Sequence, residues 1–224
     1  MGCDENSAIV LLSGGQDSTT ALFWAKGHWD NVKALTIDYG QRHSIELIAA
    51  KKIAKIADVG QEELYIPGNT LKGGFLLGPG EIPEDFEGIA PTFVPGRNLL
   101  FLTIAANRAY TLGIPNIVIG TSQVDFSGYP DCRYEFIKSF EYCALNAFER
   151  QIKIYTPLMF LSKADTVELA MTLDGCYEAL EHTHTCYNGE FPPCGHCPAC
   201  LLREQGFLEA GVSDPLIERA KKLC

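Results

Sequence analysis

Ser7-Ala8-Ile9-Val10-Leu11-Leu12-Ser13-Gly14-Gly15-Gln16-Asp17-Ser18-Thr19-Thr20 is the stretch that decides the fold of this chain. Ala8 to Leu12 is a short apolar run, the pattern of a strand buried on both faces. It breaks at Ser13-Gly14-Gly15-Gln16-Asp17-Ser18, and helical spacing follows over Thr19 to Lys26. Adjacent glycines permit a tight turn and bring backbone N–H groups close to a ligand. The helix that opens after them aims its free N–H groups and positive dipole end at the same point, which makes an anion site. Ser13, Ser18 and Thr19 add hydroxyl donors.

Outward from this turn, strand-like and helix-like patterns alternate. Val32 to Asp38, Leu64 to Ile66, Asn116 to Gly120 and Ile152 to Thr156 read as strands. Ser44 to Ala57, Leu99 to Leu112 and Tyr134 to Phe148 read as helices. Ser162 is expected to cap a further helix, with Asp165 closing a short version of the capping box. Alternation of this kind implies an α/β fold with a doubly wound, mostly parallel sheet, whose ligands sit beyond the strand C-termini. Pro67 to Gly96 interrupts the pattern with seven glycines and five prolines, too many for a long helix, and reads as an insertion or lid.

The 224 residues, 46% of them hydrophobic, are enough for one α/β domain with a small appendage. The formal charge of −10 argues against a nucleic-acid partner, because affinity for phosphate backbones rests on clustered Lys and Arg. No run is long enough to span a membrane. Asp4 and Glu5 precede only five apolar residues, which is no signal peptide, and a cytoplasmic location is expected.

Nine cysteines in such a protein ask for chemistry other than disulfides. Cys186, Cys194, Cys197 and Cys200 stand close enough in sequence to converge on one tetrahedral ion, with Gly189, Gly195, Pro192, Pro193 and Pro198 supplying turns. Zn²⁺ accepts four thiolates without redox change, and a complete ligand set reads as a structural ion. An iron–sulfur cluster is the competing reading of two successive C-x2-C steps. His184 and His196 are spare ligands that four sulfurs make unnecessary. Residues 1–180 are expected to form the nucleotide-binding unit, and 181–224 a helical segment carrying the knuckle.

Polar clusters fall at successive strand ends. Asp38-Tyr39-Gly40-Gln41-Arg42-His43 follows the second strand, and Arg97-Asn98 opens a helix. Asp125-Phe126-Ser127-Gly128-Tyr129-Pro130-Asp131-Cys132-Arg133 follows the fourth strand, and Lys163 the fifth. Singly, Arg42 and Arg133 read as surface charges, Asp131 as a helix cap and Lys163 as a solvated first-turn residue. Together at the ends of one sheet they favour a site.

The Gly-Lys-Ser/Thr of a Walker loop is absent. Ser13 to Ser18 resembles instead the SGGxDS loop of the ATP pyrophosphatases. SGGQDSTT, DYGQRHS, TFVPGRN, DFSGYPDCR and TCYNG leading into CGHCPAC are similar, in this order, to the 7-cyano-7-deazaguanine synthase family, from about Ala8 to Arg203. The chain departs from that pattern at Ser122-Gln123 and Tyr134.

The resemblance implies an adenine nucleotide alpha hydrolase-like fold and an ATP-, Mg²⁺- and Zn²⁺-dependent carbon–nitrogen ligase, a homodimer. It would convert 7-carboxy-7-deazaguanine and ammonia to the nitrile through adenylated intermediates. It places Leu12, Ser13, Gly14, Gly15, Gln16, Asp17, Ser18, Thr19, Thr20, Asp38 and Arg97 around the nucleotide, and Asp17, Ser18 and Lys163 at the chemistry. Arg42, His43, Asn98, Asp125, Phe126, Ser127, Tyr129, Asp131 and Arg133 are assigned to the deazapurine.

Overall fold

The computed structural model describes residues 4–41, 45–77, 88–124 and 129–223. Five strands form one parallel sheet: β1 Ser7–Leu11, β2 Asn31–Asp38, β3 Gly60–Tyr65, β4 Asn116–Ile119 and β5 Lys153–Tyr155. Among the described residues eight α-helices accompany them: α1 Gln16–Lys26, α2 Ile45–Ile56, α3 Arg97–Leu112, α4 Tyr134–Phe148, α5 Lys163–Thr172, α6 Cys176–Ala179, α7 Pro198–Glu209 and α8 Pro215–Leu223. The spatial order is β3-β2-β1-β4-β5. In register, Val10 faces Ala34 of β2 on one side and Val118 of β4 on the other.

β1 is buried along its whole length, and its side chains alternate between two cores. Ala8, Val10 and Leu12 join Leu22 of α1, Ile53 of α2, Val167 of α5 and Phe207 of α7. Ile9 and Leu11 join Leu102 of α3 and Ile137 and Phe140 of α4 on the opposite face. Helices on both faces of a parallel sheet are the reason β1 contains no polar residue between Ser7 and Ser13. The doubly wound architecture follows from that.

The edges of the elements differ from their sequence expectations. β3 begins at Gly60, ahead of Leu64, because Gln61-Glu62-Glu63 runs along an exposed edge of the sheet where polar residues are tolerated. α1 begins at Gln16 and α3 at Arg97, each directly after a glycine. Ser162 caps α5 as expected: its hydroxyl accepts from the Asp165 N–H at 3.1 Å, and Asp165 accepts in return from the Ser162 N–H at 2.9 Å. The expected start of α2 at Ser44 lies outside the described residues, as does part of the 67–96 insertion. The described ends of that insertion are tied together, with the Phe75 N–H donating to the Pro91 carbonyl at 3.0 Å. Among the described residues no helix is long and apolar enough to cross a membrane.

The chain leaves β1 towards β2 and β3, then returns to the other side of β1 as β4. This change of direction opens a crevice beyond the C-terminal ends of β1 and β4, where open α/β sheets bind ligands.

Candidate active site

The Ser13–Ser18 turn forms the floor of that crevice. Gly14 has φ of +89°, and a Cβ there would lie 2.3 Å from the Glu46 carbonyl oxygen and 2.7 Å from the Ala50 amide nitrogen. The loop is thus pressed onto the first turns of α2. Ser18 Oγ donates to the Gly15 carbonyl at 3.1 Å and lies 3.0 Å from Ser13 Oγ, which accepts from the Gly15 N–H at 3.3 Å. No side chain caps the start of α1 at Gly15, so the helix end faces the crevice uncapped. On the other wall, a Cβ at Gly120 would meet the Asp17 carbonyl oxygen at 2.7 Å. Only glycine lets β4 end so close to the first turn of α1.

A cavity of ≈ 310 Å³ fills the crevice. Leu12, Ser13, Gly15, Gln16, Asp17 and Ser18 line it from the loop, and Arg97, Asn98, Tyr129 and Lys163 from other elements. Lys163 reaches across from α5 to donate to both Asp17 oxygens at 2.8 Å. Gln16 is buried, and among the described residues neither its amide oxygen nor its nitrogen has a hydrogen-bond partner; the buried Thr121 hydroxyl is likewise without one there. Unsatisfied buried groups cost about 1–3 kcal/mol each. Three such atoms on residues that line one cavity are what a site for a polar ligand requires.

A second group of side chains occupies the end nearest α3. Arg97 Nη1 donates to Tyr39 Oη at 3.3 Å, and the Tyr39 ring packs edge-on against Phe101 with centroids 5.2 Å apart. Tyr129 is paired with the Thr92 hydroxyl. Glu46 faces Arg97, yet burial outweighs that cation and pushes its carboxyl up to about 7. Burial, with the Asp131 charge added, pushes the Cys132 thiol up to about 12, so it is a neutral wall of the cavity.

The remaining expected residues fall elsewhere. Thr19 and Thr20 are buried and donate to the Gly15 and Gln16 carbonyls at 2.8 and 3.1 Å, which makes them helix-internal. Asp38 accepts from the Gly40 N–H at 3.0 Å and shapes the turn after β2. Asp131 caps α3, accepting from the Asn98 N–H at 3.0 Å, while Asn98 Nδ2 donates to the Asp131 carbonyl at 3.1 Å. Arg133 is exposed ahead of α4. Arg42, His43, Asp125, Phe126 and Ser127 lie outside the described residues. Glu46, Thr121 and Tyr187 line the cavity without having been singled out: Glu46 reads in sequence as the polar face of α2, and only the fold turns it inward. Two of the departures from the family pattern have structural work, since Gln123 Oε1 accepts from the Tyr134 N–H at 3.1 Å and so caps α4.

Beyond the cavity, Cys186, Cys194, Cys197 and Cys200 bring their sulfurs within 4.8 Å of one another. Cys194 and Cys200 are 3.9 Å apart, against about 3.8 Å for the edge of a zinc tetrathiolate with 2.3 Å bonds. The set therefore fits a closed four-sulfur metal centre. His184 and His196 are not ligands: their ring nitrogens lie 3.1 and 2.9 Å from the Cys186 and Cys194 carbonyls. The His184 backbone N–H also donates to the Gly14 carbonyl at 2.9 Å, tying the knuckle to the Ser13–Ser18 turn.

Residues 7–211 match the family model described as queuosine biosynthesis protein QueC. The chain belongs to the QueC family. QueC relatives include the 7-cyano-7-deazaguanine synthase of Chromobacterium violaceum, 50% identical over 97% of this chain and 95% of that one. The enzyme of the same name from Laribacter hongkongensis is 51% identical over 96% of both chains. Among solved structures, the NMN synthetase from Francisella tularensis shares the fold with a TM-score of 0.50 at 16% identity, covering 96% of this chain and 82% of that one. The QueC match spans both the loop and all four clustered cysteines.

Proposed function

We propose that this QueC-family chain is the ligase that converts 7-carboxy-7-deazaguanine and ammonia to 7-cyano-7-deazaguanine, using ATP, in queuosine precursor biosynthesis. The observation that carries the reading is the uncapped Ser13–Ser18 turn at the sheet's switch point, with Lys163 and Arg97 converging on the same cavity.

The chemistry asks for activation twice. A carboxylate is a poor acyl donor, so one of its oxygens attacks the α-phosphate of ATP and expels pyrophosphate, giving an acyl adenylate. Ammonia attacks the acyl carbon, the C–O bond to the adenylate breaks, and AMP leaves carrying that former carboxylate oxygen, giving the amide and a released proton. The amide oxygen attacks a second ATP, and loss of that oxygen as AMP, with the remaining N–H protons, leaves the nitrile. Both rounds develop negative charge on leaving pyrophosphate. Preorganised donors at the start of α1, the Ser13 and Ser18 hydroxyls and the Lys163 ammonium meet that charge without reorganisation.

Asp17 is partly exposed and holds Lys163 in place. It is also the carboxylate that would hold Mg²⁺ jointly with the nucleotide phosphates, the usual mode for that ion. Zn²⁺ fits the four cysteines and would be structural there. Residues 1–180 then act as the nucleotide-binding unit and 181–224 as the segment that closes over it. A homodimer is supported by exposed Tyr110 and Leu112 on α3 and Tyr142 and Leu145 on α4. A cytoplasmic enzyme acting on a free base, with no nucleic-acid partner, agrees with the charge of −10.

The test is an end-point assay by mass spectrometry on purified protein with Mg-ATP, ammonium and the deazaguanine acid. The expected products are the nitrile, AMP and pyrophosphate. A folded, metal-loaded protein that leaves the base untouched would refute the assignment.

A further inference from the structure

We propose that Glu46 is the residue that selects the 2-amino-4-oxopyrimidine edge of the substrate, accepting from its ring N–H and its exocyclic amino group while Arg97 reads the adjacent carbonyl. The inference rests on the deazaguanine reading above and specifies which residue enforces it.

Two carboxylates line the cavity among the described residues, Asp17 and Glu46. Asp17 stands at the Ser13–Ser18 turn, with both oxygens accepting from Lys163 at 2.8 Å, and belongs to the phosphate end of the proposed site. The Glu46 carboxylate has no hydrogen bond or ion pair with any described residue, and it shares the cavity lining with Arg97, whose charge acts on it. A guanine-type edge presents two donors side by side, and a carboxylate is the one side chain that accepts from both. Next to those donors stands the ring carbonyl, an acceptor. The carboxylate and the donor that read them must therefore be neighbours, and Arg97 is the charge Glu46 feels most. Among the described residues the Arg97 side chain makes one long hydrogen bond, to Tyr39 Oη at 3.3 Å, which leaves most of its fork for an acceptor. Tyr39, Phe101 and Tyr129 supply aromatic surface for a planar base at the same end of the cavity.

The arrangement is costly without the base. Burial holds the Glu46 carboxyl near 7, so the empty site is poised between its protonated and ionised forms. Arg97 on α3 and Tyr39 after β2 are its described charged and titratable neighbours, with Tyr129 and Tyr187 behind them. Two donors from a ligand would favour the carboxylate.

The deciding experiment compares 7-carboxy-7-deazaguanine with its 2-deamino analogue, 7-carboxy-7-deazahypoxanthine, in the metal-loaded wild type and in Glu46→Gln. Losing one charge-assisted hydrogen bond should cost the wild type about 10- to 100-fold in kcat/KM for the analogue. A Gln amide keeps one acceptor but turns a donor towards the 2-amino group. Glu46→Gln should therefore lose the guanine substrate selectively and bring the ratio close to one. Equal loss on both substrates, with the ratio unchanged, would mean a structural role and overturn the inference alone. A wild type that processes neither base would remove the proposed reaction and this inference together.

Discussion

Gly14 and Gly15 are adjacent and do different jobs, which makes a clean prediction at the scale of one residue. A Cβ at Gly14 would enter the backbone of α2, whereas one at Gly15 meets nothing closer than Ser13 Oγ at 3.5 Å. Gly14→Ala should lower the melting temperature sharply or leave the protein insoluble. Gly15→Ala should melt near the wild type and, if the proposed function holds, still lose pyrophosphate formation by 100-fold or more, because the methyl would stand where that proposal seats phosphate. A Gly15→Ala protein with normal turnover would detach the loop from the nucleotide. Glu46 gives a pH test of the same scale. Its folded carboxyl lies near 7, above the ordinary 4.5. Between these values the unfolded chain has released a proton that the folded one keeps, so this group's contribution to stability falls as pH rises through that window. Glu46→Gln should accordingly raise the melting temperature at pH 8 relative to wild type, and the gain should shrink towards pH 4.5. A flat difference across that range would contradict the burial of this carboxyl.

At the scale of elements, the legible parts were those whose signal is local. The five strands and the helices up to α5 follow from period and punctuation, and the Ser162 capping box could be read directly. What escaped was supplied from a distance. Asp131 looks like the cap of its own helix, but it caps α3, thirty-three positions earlier in the chain. The 181–224 segment reads as helical, but the bounds of α7 do not, because its first turn holds both Pro198 and Cys200 and so overlaps the knuckle pattern. Arg203 on that helix carries no local sign of its role: it is buried, donating to Asp214 Oδ2 and Oδ1 at 2.6 and 2.8 Å and to Thr183 and Thr185 hydroxyls at 2.7 and 2.9 Å. Asp214 directly precedes α8, so the pair locks α7 to α8. Removing one partner of a buried pair costs about 3–5 kcal/mol. Arg203→Met should destabilise by that order in urea unfolding, and Asp214→Asn by less, since the amide oxygen still accepts. A change under about 1 kcal/mol for Arg203→Met would mean that the pair is replaceable by packing, as some buried pairs are.

At the scale of the molecule, the cysteine cluster and the Ser13–Ser18 turn are one mechanical system. Cys197 caps α7 and Cys200 lies in its first turn, so the metal ligands fix where that helix starts. α7 lies on the first turn of α5: a Cβ at Gly206 would be 2.4 Å from Lys163 Cγ, so the glycine is what lets the two helices close on that side chain. Lys163 then reaches Asp17, and the His184 N–H ties residues just ahead of Cys186 to the Gly14 carbonyl. A metal that holds four thiolates contributes folding energy directly, and its removal frees both ties. Chelation should therefore abolish pyrophosphate release and lower the melting temperature together, with Cys197→Ser giving the same paired loss. Gly206→Ala separates the two: it leaves all four ligands in place, so bound zinc should stay near one per chain by elemental analysis while activity falls through displaced Lys163. If Gly206→Ala keeps both metal and full activity, the knuckle stabilises the chain without setting the geometry of the site, and the coupling argued from α7 to Lys163 is wrong.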